Sequence, residues 1–228
     1  MLRLASQPGN RTASAFAFAA LLLSVLMMAP LQSEAQPFPA NITIEEGGRV
    51  WIEGTAGPVD YTCRAERLSG RGRISNTVSP QSTISGTGED ITISVSLPVK
   101  SLNCGKRAMN RDMYGALKSS KFPEIHYHLL EAGPDENIQD TLPGGWIHIR
   151  TRGIMEIAGT SDTTVVQVLG KAIDQNRYHV KGKKEINMDT YNIDPPTAMF
   201  GLIRASKELQ VHFDVTVSIA DTALTTGN

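Results

Sequence analysis

Five histidines, His126, His128, His148, His179 and His212, are the side chains of this 228-residue chain whose ordinary chemistry suits proton transfer or metal ligation. His126 and His128 stand two positions apart, and on a strand that spacing puts both imidazoles on one face, where they could hold a metal ion together. The same alternation sends Ile125, Tyr127 and Leu129 to the other face. Those apolar side chains take the core, so the two histidines point outward as surface groups. The acid pairs Glu45-Glu46, Glu89-Asp90 and Asp135-Glu136 fall in loops or at strand ends, where solvated charge is the ordinary role. No Gly-x-Ser-x-Gly, His-Glu-x-x-His or phosphate-cradling glycine loop occurs. These residues assign neither a catalytic group nor a metal site. A formal net charge of -1 without a dense basic cluster gives no footprint for nucleic acid.

The first residues carry an address. Arg3 and Arg11 precede an apolar run over residues 13–29, Pro30 follows, and Ser33-Glu34-Ala35 offers small residues at both recognition positions of a signal peptidase. This predicts a signal peptide over residues 1–35, cleavage after Ala35, and a periplasmic or secreted product. The run approaches the length of a membrane span, yet Ser14 and Ser24 interrupt it. No cysteine lies near the site, which argues against lipidation. The Asn41-Ile42-Thr43 sequon matters only where the host glycosylates exported proteins.

An exported chain meets an oxidising compartment, and its only cysteines, Cys63 and Cys104, are expected to pair. A free buried pair and a redox site are the competing readings, but no Cys-x-x-Cys and no further ligands at zinc spacing accompany them. A bridge closing a loop of about forty residues would stabilise the fold by roughly 4 kcal/mol.

The body of the chain positions these groups on strands. Val50 and Ile52 alternate with Trp51 and Glu53; Tyr61, Cys63 and Ala65 with Thr62 and Arg64; Ile91, Ile93, Val95, Leu97 and Val99 with Thr92, Ser94, Ser96 and Pro98. Leu209, Val211, Phe213, Val215, Val217 and Ile219 alternate with polar residues. Period two predicts half-buried strands, with others over 125–130, 146–151, 154–158, 164–173 and 178–188. Between Asn103 and Phe122 the pattern changes: Met109, Met113, Ala116 and Leu117 recur at helical spacing, Asn103 is a candidate N-cap and Pro123 a stop. About eight antiparallel strands, each with one dry face, must stack as a sandwich or close into a barrel, and periodicity does not choose. The domain is expected over residues 49–219, after an N-terminal extension at 36–48 and before a flexible tail at 220–228.

Four ordered motifs carry a resemblance. They are Val50-Trp51-Ile52-Glu53-Gly54-Thr55 with Asp60-Tyr61-Thr62-Cys63; Arg111-Asp112 followed by Phe122-Pro123-Glu124-Ile125-His126-Tyr127; Gly153-Ile154-Met155-Glu156-Ile157-Ala158-Gly159-Thr160-Ser161; and Tyr191-Asn192-Ile193-Asp194-Pro195-Pro196, Met199-Phe200-Gly201 and Glu208-Leu209-Gln210-Val211-His212-Phe213. In this order they resemble the YceI-like, polyisoprenoid-binding family over about residues 49–219. Met113-Tyr114 stand where that family usually has a His and a Leu, so no role of that His carries over, and the disulfide is not general to the family.

The resemblance implies an all-β fold: an antiparallel lipocalin-like barrel of about eight strands, with one short helix near its mouth and an isoprenoid or similar lipid chain in its bore. The expected lining is Ile91, Ile93, Val95, Leu97, Met109, Met113, Ile125, Tyr127, Met155, Ile157, Leu209, Val211 and Phe213. Each of these residues alone also suits an ordinary packed core. The expected function is that of a non-enzymatic carrier whose only bound group is its lipid, with transient membrane contact for ligand exchange, a homodimer as a further expectation and no nucleic acid partner. An enzyme acting on an isoprenoid lipid, or a packed barrel serving as an envelope interaction or adhesion module, are the alternatives. The mature protein recovered from its native compartment is expected to begin at Gln36; N-terminal sequencing that returns Met1 would overturn export.

Overall fold

Strands with one apolar and one polar face satisfy every backbone group only when both edges are paired, and a ring of strands achieves this. The computed structural model describes residues 40–65, 67–74, 91–135, 137–138, 142–198 and 202–221, with Ile74, Ile91, Ala198 and Asp221 described by their backbone alone. Its strands are β1 Ala40–Ile44, β2 Arg49–Ala56, β3 Val59–Ala65, β4 Ser69–Ile74, β5 Ile91–Pro98, β6 Leu102–Asn103, β7 Glu124–Pro134, β8 Ile147–Ile157, β9 Thr160–Ala172, β10 Arg177–Asn187, β11 Thr197–Ala198, β12 Ile203–Arg204 and β13 Glu208–Asp221, with helix α1 at Arg107–Ala116.

β1 and β2 lie one after the other along a single edge of β13, opposite residues 217–221 and 210–214 respectively. β4 and β3 flank them as a second interrupted strand. β5 pairs with β4, then passes through the 3-10 turn Val99–Ser101 into β6, which pairs with β3. With each interrupted strand taken once, the wall is a closed antiparallel barrel of eight strands in chain order, ending with β7, β8, β9, β10 and β13. The barrel, with one α-helix among the described residues, is the architecture that the alternation and the resemblance lead one to expect.

Several boundaries differ from the sequence reading. Ala40–Ile44 belongs to the barrel as its first strand, whereas the sequence reading places it in an extension; five residues between Pro39 and a Glu-Glu-Gly-Gly turn offer little periodicity to detect. The expected strands at 146–151 and 154–158 are one strand, because Gly153 continues the ladder opposite Leu129 and Thr164. The helix ends at Ala116, well before Pro123; Lys118 at φ 51° turns the chain away. Asn103 does not cap α1. Its Oδ1 accepts from Gly105 N–H at 2.9 Å and from Asn110 Nδ2 at 3.1 Å, while Lys106 precedes the helix without a side-chain cap. Asp135 is not a solvated acid: it is 4% exposed and accepts from Asn137 N–H and Nδ2 and from Gln167 Nε2. The signal peptide, Glu89-Asp90, Glu136, Met199-Phe200-Gly201 and residues 222–228 lie outside the described residues.

One seam departs from the regular wall. β9 and β10 pair only from Ala172 with Tyr178 to Val168 with Gly182, so residues 160–167 and 183–187 share no ladder. Lys184 sits opposite Val211, on the inward side of β10, and its Nζ donates to Val165 O at 3.0 Å across this seam. The amine thereby links the two strands where they share no backbone ladder.

The outer face is tied across three strands. Asp214 on β13 accepts from Arg49 on β2 at 2.7 Å, and its other carboxylate oxygen lies 2.7 Å from His179 Nε2 on β10. Beside it, the rings of Trp51 and His212 stack at 5.0 Å. Burial alone would raise the Asp214 pKa, but the hydrogen bonds from His179 and Arg49 outweigh it and hold the carboxyl below its usual range. A depressed folded pKa contributes stability that is present above the unfolded value, about 4, and is lost as pH falls through the folded one. The denaturation midpoint of the native protein should therefore exceed that of Asp214→Asn at pH 6, with the gap closing below about pH 4. A gap unchanged down to pH 2 would refute the assignment.

Candidate ligand cavity

The inward faces are set by register. Ile52 opposes Val211 on one side and Cys63 on the other, and Tyr127 opposes Met155 and Val95, so even positions of β2 and odd positions of β3, β5, β7, β8 and β13 share the bore. At the end nearest α1 these side chains surround a cavity of about 380 Å³. From the barrel wall come Val50, Ile52, Tyr61, Leu97, Ile125, Met155, Ile157, Ile186, Leu209 and Val211. The rest of the enclosure is built outside the strands. Met109, Met113, Ala116 and Leu117 project from α1, while Met188, Ile193, Pro196, Ile203 and Ala205 come from the crossing between β10 and β13. Polar groups on the lining are few: Lys106 and Asp112 on the helix side, Thr197 on the crossing, and the Tyr61 phenol, whose pKa burial raises.

Two local devices hold this end in place. Cys63 and Cys104 form a disulfide that joins residues 41 apart in sequence. They follow the β3–β6 pairs Ala65 with Leu102 and Arg64 with Asn103, so the bridge extends the ladder by one position and fixes the chain that enters α1. Cys104 Sγ lies 3.6 Å from Met113 Sδ, and both cysteines line the cavity. On the opposite side the 3-10 turn Met188–Tyr191 packs beneath β8, with Ile157, Ala158, Ile186, Met188, Tyr191 and Ile193 in one buried cluster. Burial, aided by the charge of Asp162, pushes the Tyr191 pKa up to about 12, so the ring stays neutral. Gly159, at φ 80°, closes the β8–β9 hairpin; an added Cβ there would run into the Phe122 ring.

Of the residues expected to line the bore, Leu97, Met109, Met113, Ile125, Met155, Ile157, Leu209 and Val211 reach the cavity. Ile93, Val95, Tyr127 and Phe213 face inward but do not line it. Ile93 packs with Ala40, Ile42, Leu129, Val217 and Ile219 at the far end. Phe213 packs against Val50, Leu97 and Leu102. Val95 lies against inward Gly70, whose added Cβ would sit 3.4 Å from Val95 Cγ2. Tyr127 donates to or accepts from Thr151 Oγ1 at 3.3 Å. For Ile91 only the backbone position opposite Ile74 is described. Alternation along β2 and β10 already marks Val50, Ile52 and Ile186 as inward. Ile193, Ile203 and Ala205 carry no such signal, since they lie in short irregular segments.

The histidines play no part in the cavity. His126 and His128 stack at 6.2 Å; His128 Nδ1 is 3.0 Å from Ser94 Oγ and His126 Nε2 is 3.7 Å from Glu124. Among the described residues no three His, Cys, Asp or Glu side chains gather as a metal site.

No family model matches the sequence, and no curated protein does. Solved structures do match. A polyisoprenoid-binding domain from Saccharophagus degradans, implicated in plant cell wall breakdown, aligns at a TM-score of 0.57 and 12% identity over 78% of this chain and 97% of its own. BcnA from Burkholderia cenocepacia aligns at 0.56 and 14%, over 74% and 95%. A Campylobacter jejuni YceI protein aligns at 0.43 and 15%, over 57% and 73%. The chain has a YceI-like fold.

Since the bridge fixes one side of the cavity, a Cys63→Ser/Cys104→Ser variant should lose roughly 2–4 kcal/mol of unfolding free energy in denaturant titration. An unchanged free energy would mean that the bridge adds nothing to the ladder it extends.

Proposed function

We propose that this protein is an exported, non-enzymatic carrier that holds the apolar tail of an isoprenoid or similar amphiphile in the cavity beside α1. The observation that carries the reading is the lining itself: aliphatic and thioether side chains surround a 380 Å³ space, with Lys106, Asp112 and Thr197 confined to its helix and crossing sides. That volume falls within the usual range for small-ligand sites. Burying a chain there contributes about 0.8 kcal/mol per methylene before ordering costs, so the tail dominates affinity. Methionines at positions 109 and 113 suit a guest without fixed shape. A polyisoprenoid-binding domain among the structural neighbours supports the choice of an isoprenoid.

The rim supports loading at a membrane surface. Leu202, 83% exposed, precedes β12, and Val59, 57% exposed, follows the Gly57-Pro58 turn. Their hairpins meet through the Ala56–Ala205 bridge, and both bridge residues line the cavity. Two apolar side chains at the mouth can enter the lipid interface while the tail transfers, after which the loaded protein departs in water.

Organic extraction of protein isolated from its native compartment, followed by mass spectrometry, should release an isoprenoid lipid. Met109→Glu, on a half-exposed helical position, should keep the far-ultraviolet spectrum and weaken binding of farnesol at least tenfold. An extract free of lipid, together with no measurable binding of any isoprenol, would sink the carrier reading.

A further inference from the structure

Beyond the cavity the bore of this barrel is filled by paired choices of large and small residues. Tyr127 leans over inward Gly153, where an added Cβ would stand 2.5 Å from the ring carbon Cζ. Phe213 does the same over Gly182, at 2.7 Å from its Cζ. Farther along, Ile93 covers Gly72 and Ile149 covers Gly170. Each glycine removes one side chain from the wall and lets a neighbour fill the space, so the far half of the barrel is packed by its own residues.

Tyr127 and Phe213 are the first of these pairs met from the cavity. On β13 the lining residues are Leu209 and Val211, and Phe213 is the next inward position. On β7 the lining residue is Ile125, and Tyr127 is next. The Tyr127 hydroxyl is fixed against Thr151 Oγ1 at 3.3 Å, and Thr151 Oγ1 donates in turn to Val166 O at 3.0 Å. That chain anchors the ring across the bore.

Building on the carrier reading above, we propose that Tyr127 and Phe213 form a floor that limits the guest to a tail about as long as a farnesyl group. The distance from Leu209 to Phe213 along the strand is roughly 14 Å at about 3.4 Å per residue. Strands of an eight-stranded barrel tilt by about 40°, so this path corresponds to a depth of roughly 11 Å, or about nine bonds of an extended chain at about 1.2 Å each, and Met188, Ile203 and Ala205 at the rim enclose the few that remain. Longer tails leave their excess in water and gain nothing from it. The class of ligand is therefore a short isoprenyl amphiphile, chosen by tail length, with its polar end toward Lys106 and Asp112.

The test is a series of isoprenols, geraniol, farnesol, geranylgeraniol and a long polyprenol, titrated against the full mature protein. In the native protein affinity should rise at least tenfold from geraniol to farnesol and less than threefold beyond it. Phe213→Ala should shift the break to geranylgeraniol by opening the space over Gly182. Phe213→Leu, a milder change that keeps an apolar side chain there, should shift it in the same direction with less risk to folding. A rise that continues unbroken to the polyprenol in the native protein would overturn the floor and leave the carrier reading intact. A break that stays at farnesol in a folded Phe213→Leu variant would also overturn it. Binding of none of the four alcohols would remove the carrier reading and the floor together.

Discussion

Closure of the sheet is the constraint on which the rest of this molecule depends. β13 runs for 14 residues, paired with β10 along one edge and with β2 and β1 in turn along the other. An open sheet of this length would present a row of unpaired amides and carbonyls at each side. With the ring closed, register cannot slip, because a shift of one residue would turn Leu209, Val211 and Phe213 outward and bring His212 and Asp214 into the bore. The inward set, and with it the cavity, is a product of that closure.

An eight-stranded barrel has an interior that side chains can nearly fill. Space for a guest therefore has to be made. At the far end it is not: Ala40, Ile42, Ile93, Leu129, Val217 and Ile219 meet in one cluster. At the near end the wall is lengthened by elements that are not barrel strands, with α1 on one side and the crossing of residues 188–205 on the other. The cavity belongs as much to this rim as to the barrel, and the Cys63–Cys104 bridge is placed where the rim departs from the ladder.

Strand alternation made the wall legible in the sequence, since a side-chain period of two needs no knowledge of partners. β5 and β13 are recognised within about two residues at each end, and the helix by Met109, Met113 and Leu117. What alternation does not contain is depth. Ile125 and Tyr127 lie on the same face of the same strand, yet one borders empty space and the other fills it, and the difference rests with Gly153 on the neighbouring strand. Pairing of a large residue on one strand with a glycine on the next is a long-range fact. The rim residues Ile193, Ile203 and Ala205 escaped notice for a related reason: their positions follow from tertiary packing of short segments. Asp135 looked like a solvated acid because its amide partners, Asn137 and Gln167, include one from a distant strand.

The seam between β9 and β10 gives this wall an uneven stiffness. Where long ladders of backbone hydrogen bonds join neighbours, as between β10 and β13 or β8 and β9, a change of diameter must strain many of them at once. Along residues 183–187 the backbone ladder to β9 is absent, and the Lys184 amine reaches Val165 O at the end of a four-carbon tether that can follow a moving carbonyl. The barrel is thus a hoop with one compliant sector, set beside Ile186 and Met188 in the cavity lining. Girth, unlike length, can adjust there without loss of the sheet.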